Sequence, residues 1–153
     1  MISVRIAIIG YGGVGRALVR LINDKRNVLI HEGINPVVNY VIASKGGIYD
    51  HEGINLERLI GFSSNHGDIS KYPEGGSRNI SFATLMENKD VDVVIEMTPT
   101  NLETGEPGLN YITKSLESGL HVITANKAPI LFSYKKLYEI AVQHNVQLGI
   151  GCT

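Results

Sequence analysis

Six residues near the start of the chain, Gly10-Tyr11-Gly12-Gly13-Val14-Gly15, set the tightest limit on how it can fold. They follow a β-branched, strand-like run from Ser3 to Ile9. They lead into a helical pattern in which Val14, Ala17, Leu18, Leu21 and Ile22 share one apolar face, with Arg16, Arg20 and Asp24 off it. A strand, a tight glycine turn and an amphipathic helix, in that order, make a phosphate-holding unit. The charges of a pyrophosphate need N–H donors and a favourable field, and the first turn of a helix supplies both. Gly10 is expected to turn the chain out of the strand, Gly12 to let the backbone approach the pyrophosphate, and Gly15 to let the helix pack close to the strand. Gly13 and Val14 complete the cofactor-facing turn. The spacing alone is a weak signal in a chain with 17 glycines, and its flanking elements raise it. The Gly-Lys-Ser/Thr ending of a P-loop is missing.

The alternation begun by this unit continues. Val37 to Ala43 reads as a strand, and Leu56, Leu59 and Ile60 as a short helix. Ser63 to Asn79, rich in Ser, Gly, Asn and Pro, reads as loop. Phe82 to Glu87 reads as a helical turn after a short strand, and Val91 to Ile95 as a strand. Leu109, Ile112 and Leu116 mark a helix, with Gly119 just past its end. His121 to Thr124 is a strand, Tyr134 to His144 a helix, and Val146 to Ile150 a last strand. Nearly continuous apolar strands alternating with helices argue for an α/β fold: a doubly wound parallel sheet of the Rossmann dinucleotide-binding type, as one domain over residues 1–153. The chain stops at Gly151-Cys152-Thr153 directly after a strand, so it is expected to be part of a longer protein.

Bulk properties exclude several alternatives. The net charge is −1, with acids and bases interspersed, so no electrostatic footprint for nucleic acid or anionic lipid is expected. No apolar run approaches the about 20 residues a membrane helix needs. The start lacks a basic segment and a small-residue cleavage site, which makes a cytoplasmic protein the default. His31, His51, His66, His121 and His144 show no metal-ligand spacing, so no metal site is expected. Cys152, the single cysteine, reads as a core residue. Tyr134, Lys135, Lys136 and Tyr138 read as the mixed outer face of a helix.

The end of the second strand bears on the choice of dinucleotide. An acid there holds a ribose 2′-hydroxyl, whereas small polar or basic residues accommodate a 2′-phosphate. Here the strand ends Ala43-Ser44-Lys45-Gly46-Gly47, with no acid before Asp50. Ser44 and Lys45 therefore favour NADP over NAD. In a doubly wound sheet the strands flanking the reversal of strand order open onto the cofactor. With Val91 to Glu96 as the fourth strand, Met97-Thr98-Pro99-Thr100-Asn101 faces that crevice, and its hydroxyls can hold the nicotinamide ribose. Thr124-Ala125-Asn126-Lys127 opens on the same edge.

Three segments together resemble the homoserine dehydrogenase family: the glycine turn, Thr98-Pro99-Thr100-Asn101 followed by Thr104-Gly105-Glu106-Pro107-Gly108, and His121-Val122-Ile123-Thr124-Ala125-Asn126-Lys127. The similarity runs over nearly the whole chain, in order. It implies NAD(P)-dependent interconversion of L-homoserine and L-aspartate 4-semialdehyde, a step of threonine, methionine and isoleucine synthesis. It also implies that Thr98, Pro99, Thr100 and Asn126 contact the cofactor. By the same resemblance, Lys127 lies by the nicotinamide and the reacting oxygen, positioning that oxygen or relaying its proton. Thr153 matches the threonine that opens the family's next, substrate-side segment. The family's second domain, which supplies the substrate carboxylates, a second lysine and most of a homodimer interface, is absent from this chain. Glu96, Glu103 and Glu106 are not read as replacements for those carboxylates, and the chain alone is expected to be inactive. Two other readings stay open: a stand-alone NAD(P)-binding or regulatory remnant, and the cofactor domain of a related amino-acid dehydrogenase.

Overall fold

The β-branched runs build the sheet. In a computed structural model, which describes residues 1–65 and 67–151, β1 (Ile2–Ile9) lies between β2 (Ile34–Ala43) and β5 (Val93–Glu96), parallel to both. Beyond β5, β6 (His121–Thr124) and β7 (Leu148–Ile150) continue in parallel. On the other side, β3 (Gly46–Tyr49) runs antiparallel to β2, and β4 (Gly76–Ser77) antiparallel to β3. The order is β4-β3-β2-β1-β5-β6-β7, so the direction of winding reverses between β1 and β5. The α/β, doubly wound expectation holds, with an antiparallel pair at one edge.

Alternation along β1 divides the core. Ile6 and Ile8 pack with Val19 and Ile22 of α1 (Gly13–His31) and Leu56 and Leu59 of α2 (Leu56–Asn65). Ala7 and Ile9 pack on the opposite face with Leu85 of α3 (Phe82–Asn88), Ile112 and Leu116 of α4 (Gly108–Glu117), and Leu137 of α5 (Lys127–Gln143). Each fully buried aliphatic side chain contributes about 1.5–3 kcal/mol. Both faces are covered, as a parallel sheet requires. Among the described residues no helix is long and apolar enough to cross a membrane.

Three segments differ from the sequence reading. The stretch from Ser63 to Asn79 is not all loop: α2 runs on to Asn65, a 3₁₀ turn spans Ile69–Lys71, and β4 follows. β3 forms behind two glycines, Gly46 at φ +136° and the buried Gly47, so Ser44-Lys45 is the two-residue turn of a β2–β3 hairpin. The last helix begins at Lys127, not Tyr134, and its two limbs meet at Ser133, which leaves helical geometry at φ −142°, ψ 21°.

A bulge shapes β2. Its ladder with β1 passes from Ile6↔Val38 to Ala7↔Tyr40, leaving Asn39 unmatched. The buried Asn39 Nδ2 donates to the Asp50 and His51 carbonyls at 2.9 and 3.0 Å, which ties the exit of β3 to the bulge. Tyr40 turns toward the α4 side, where its ring stacks on Tyr49 at 4.5 Å.

Both phenols donate to Asp90, Tyr40 to Oδ1 and Tyr49 to Oδ2, each at 2.7 Å. Burial pushes the Asp90 carboxyl up. The hydrogen bonds from Tyr49 and Tyr40, with help from the Arg5 charge, outweigh it and leave the group below its ordinary 3.8. A carboxyl depressed in the folded state contributes stability above its unfolded pKa and loses it as pH falls through the folded value. Asp90→Ala is expected to lower stability by about 2 kcal/mol near neutral pH. Urea titrations should show that deficit shrinking only below the ordinary carboxyl range.

Candidate functional site

Three loops meet where the winding reverses. They enclose a cavity of about 680 Å³ lined by Gly10–Val14, by Ala43 and Ser44, and by Met97–Thr100, with Gly67, Pro107, Tyr111 and Ala125 completing the wall.

The glycines of the first loop divide into two kinds. Gly10 has φ +101°, and a Cβ there would lie within 3.0 Å of the Met97 carbonyl. A Cβ on Gly15 would run into the Gly10 carbonyl oxygen. These two are demanded by the protein itself. Gly12 has an ordinary φ of −88°, and a Cβ on it or on Gly13 would meet no atom of the described residues within 4 Å. Neither backbone strain nor packing excludes a side chain at Gly12; one placed there would reach into the cavity.

Gly12 is also the N-cap of α1. No side chain caps that end and no acid lies in its first turn. The N–H groups and partial positive charge at the start of a 19-residue helix therefore face the cavity without a side-chain cap. Tyr11 braces the turn from below. It is buried, its hydroxyl lies 3.0 Å from Ser63 Oγ, and Arg16 stacks over its ring at 5.1 Å while donating to the Ser63 carbonyl.

The loops after β5 and β6 are joined by Glu96. This residue ends β5 and is 0% exposed. Its Oε1 accepts the Thr98 N–H at 2.8 Å, the Thr98 hydroxyl, and Asn126 Nδ2 at 3.5 Å. Its Oε2 accepts the Thr124 hydroxyl at 2.8 Å, and Thr124 Oγ1 accepts the Asn126 N–H at 3.0 Å. Asn126 is the N-cap of α5, and Lys127 is that helix's first residue.

Of the residues expected from sequence, Gly10, Gly12, Gly13, Val14, Ser44, Thr98, Pro99 and Thr100 line the cavity. Gly15 lies beneath the turn and Asn126 is buried behind Ala125. Lys45 is exposed in the hairpin turn, off the cavity wall, and its charge helps hold the Asp68 carboxyl down, after the larger effect of the Ser70 hydroxyl. Lys127 is exposed and its side chain does not line the cavity. Thr153, Cys152 and His66 lie outside the described residues. Sequence reasoning missed Tyr11, Gly67, Tyr111 and the organising part of Glu96. The available signal for Glu96 was an acid closing an apolar strand with a threonine two residues on.

Residues 10–150 match the family described as "Homoserine dehydrogenase, NAD binding domain". The homoserine dehydrogenase of Methanocaldococcus jannaschii is 37% identical over 92% of this chain and 42% of its own length. The NAD(+)-dependent homoserine dehydrogenase of Pseudomonas canavaninivorans is 29% identical over 95% of this chain and 42% of its own. Among solved structures, a candidate homoserine dehydrogenase of Archaeoglobus fulgidus superposes with a TM-score of 0.77 at 28% identity, over 96% of this chain and 42% of that one. A hyperthermophilic archaeal homoserine dehydrogenase in complex with NADPH shares the fold, with a TM-score of 0.81 at 24% identity over 97% of this chain and 44% of that one. The chain thus spans less than half the length of these relatives. On the match across residues 10–150, the chain belongs to the family of homoserine dehydrogenase NAD-binding domains.

Proposed function

We propose that this chain is the NAD(P)-binding portion of a homoserine dehydrogenase, which interconverts L-homoserine and L-aspartate 4-semialdehyde. The observation that carries the reading is the open ground over Gly12 and Gly13. Ordinary backbone geometry, a helix start without a side-chain cap and room for ligand atoms coincide there, inside a cavity that continues to Thr98–Thr100. That combination fits a pyrophosphate.

When bound, a nicotinamide cofactor supplies or accepts the hydride. The chain's own residues bind and orient. The first-turn N–H groups of α1 hold the phosphates, and Thr98, Pro99, Thr100 and Asn126 hold the nicotinamide ribose and ring. Lys127 positions the reacting oxygen or relays its proton. A cation in the first turn of a helix opposes the helix dipole by about 0.3–1 kcal/mol. That cost supports a chemical reason for Lys127 at this place. Thr153 stands on the substrate side. The substrate's acidic partners and the homodimer interface belong to a further domain of the relatives' length. The reaction serves threonine, methionine and isoleucine synthesis in the cytoplasm.

For the cofactor, NADP is favoured: Ser44 lines the cavity and Lys45 stands beside it. One observation favours NAD instead. Asp68, next to the cavity-lining Gly67, is coupled to Lys45 and would oppose a 2′-phosphate. Fluorescence titration with NADPH and NADH decides. NADPH should bind more tightly, and Lys45→Ala should weaken NADPH alone, by about fivefold. Equal affinities would overturn the NADP reading. With L-homoserine and NADP⁺, the chain by itself should form no reduced cofactor; turnover would overturn the placing of the substrate groups in a further domain.

A further inference from the structure

We propose that Glu96 is a positioning residue that locks the loops after β5 and β6 into one wall for the nicotinamide end of the cofactor. The proposal rests on the cofactor reading above and extends it to a residue that the cavity wall does not include.

Taking an acid fully out of water is costly unless donors surround it. Among the described residues they come from two segments. Thr98 supplies its N–H and hydroxyl, and Thr124 and Asn126 supply a hydroxyl and an amide. These are the two loops that flank the proposed ring end of the crevice. The third element at this point is cleared for the pair. Gly108 opens α4, and a Cβ on it would meet Asn126 Nδ2 and both Glu96 oxygens, the latter at 3.2 Å.

The carboxyl group decides which polar atoms remain for a ligand. Because the Thr98 hydroxyl donates to Glu96, its oxygen offers only lone pairs in other directions. Because the Asn126 amino group is drawn to Glu96, its Oδ1 points elsewhere; it is buried and has no hydrogen-bond partner among the described residues. An unpaired buried acceptor costs about 1–3 kcal/mol. Thr98 lines the cavity and Asn126 follows Ala125, which does too. The wall therefore presents the Thr98 oxygen as an acceptor, with the unpaired Asn126 Oδ1 buried behind Ala125, and an acceptor there suits the carboxamide N–H and ribose hydroxyls of a nicotinamide nucleotide. Glu96 touches neither; it acts through Thr98 and Asn126.

The test is Glu96→Gln in this 153-residue chain. Glutamine keeps the shape but turns an N–H₂ toward donors that need an acceptor. Affinities are measured for NADH and NADPH, and for ring-less ligands that lack the nicotinamide ribose as well, ADP and 2′-phospho-ADP. Both dinucleotides should weaken by about tenfold, with the ring-less ligands within about twofold of wild type. The fluorescence enhancement of the bound reduced ring should fall as well. If circular dichroism shows that Glu96→Gln is unfolded, Thr124→Val decides, with the same selective loss at about threefold. Unchanged dinucleotide binding, or an equal loss of the ring-less ligands, overturns the positioning role. Failure of the wild-type chain to bind any of the four overturns the cofactor reading itself.

Discussion

Gly12→Val is expected to leave the fold standing while removing dinucleotide binding. The backbone at residue 12 is extended, at φ −88°, outside the left-handed region that demands glycine, and a Cβ there has no neighbour within 4 Å among the described residues. The melting temperature should therefore stay close to wild type. The added methyl groups enter the space above the first turn of α1, where the phosphates are proposed to lie. Each lost hydrogen bond to a charged phosphate oxygen is worth about 1.5–3 kcal/mol. At 1.4 kcal/mol per factor of ten, losing even two such bonds weakens NADPH about a hundredfold or more. Isothermal titration calorimetry with thermal melts on the same sample checks both halves. Retained affinity would remove Gly12 from the site.

Gly15→Ala should act on the fold first. Its Cβ would collide with the Gly10 carbonyl oxygen, a backbone atom that cannot rotate away. Gly10 is itself held by its N–H to the Ile42 carbonyl at 2.8 Å. Relief requires α1 to back off β1, opening the contacts of Val19 and Ile22 with Ile6 and Ile8. Overpacking a rigid site costs about 1–3 kcal/mol and occasionally more. We expect about 3 kcal/mol, a fall in melting temperature of about 6–12 °C for a chain of this size. Weaker NADPH binding would then follow from the displaced helix. A melting temperature within a degree or so of wild type would show that the helix docks more loosely than its glycine packing requires.

These paired expectations mark how far the sequence was legible. The glycine turn could be read because it joins two local elements, a positive φ at Gly10 that turns the chain out of β1 and a helix start at Gly12. The loops after β5 and β6 could be read because the parallel strands before them are short apolar runs, whose ends fix the loops. The β3–β4 pair could not. Its strands carry Gly46, Gly47 and Gly76, and β4 is two residues long, so its pairing is decided by the neighbouring edge of β2. The first limb of α5 was hidden by Pro129, which reads as a breaker but is tolerated in a helix's first turn. The work of Glu96 depends on Thr124 and Asn126, 28 and 30 residues away. Only tertiary packing brings them together.

The bulge at Asn39 has a consequence for heredity as much as for geometry. Val38 and Val41 point to one side of the sheet and Tyr40 and Ile42 to the other, a parity broken by the one unmatched residue. Ser44, at the rim of the cavity, keeps its phase by counting from the bulge, not from the start of β2. A lineage that gained or lost a residue between α1 and Val38 could absorb the change upstream without turning the binding edge over. The loss of Asn39 alone would leave Tyr40 to Ala43 facing as they do, since Val38 and Tyr40 would then follow each other on Ile6 and Ala7; pairing Asn39 itself with Ala7 would exchange inside for outside along the rest of the strand.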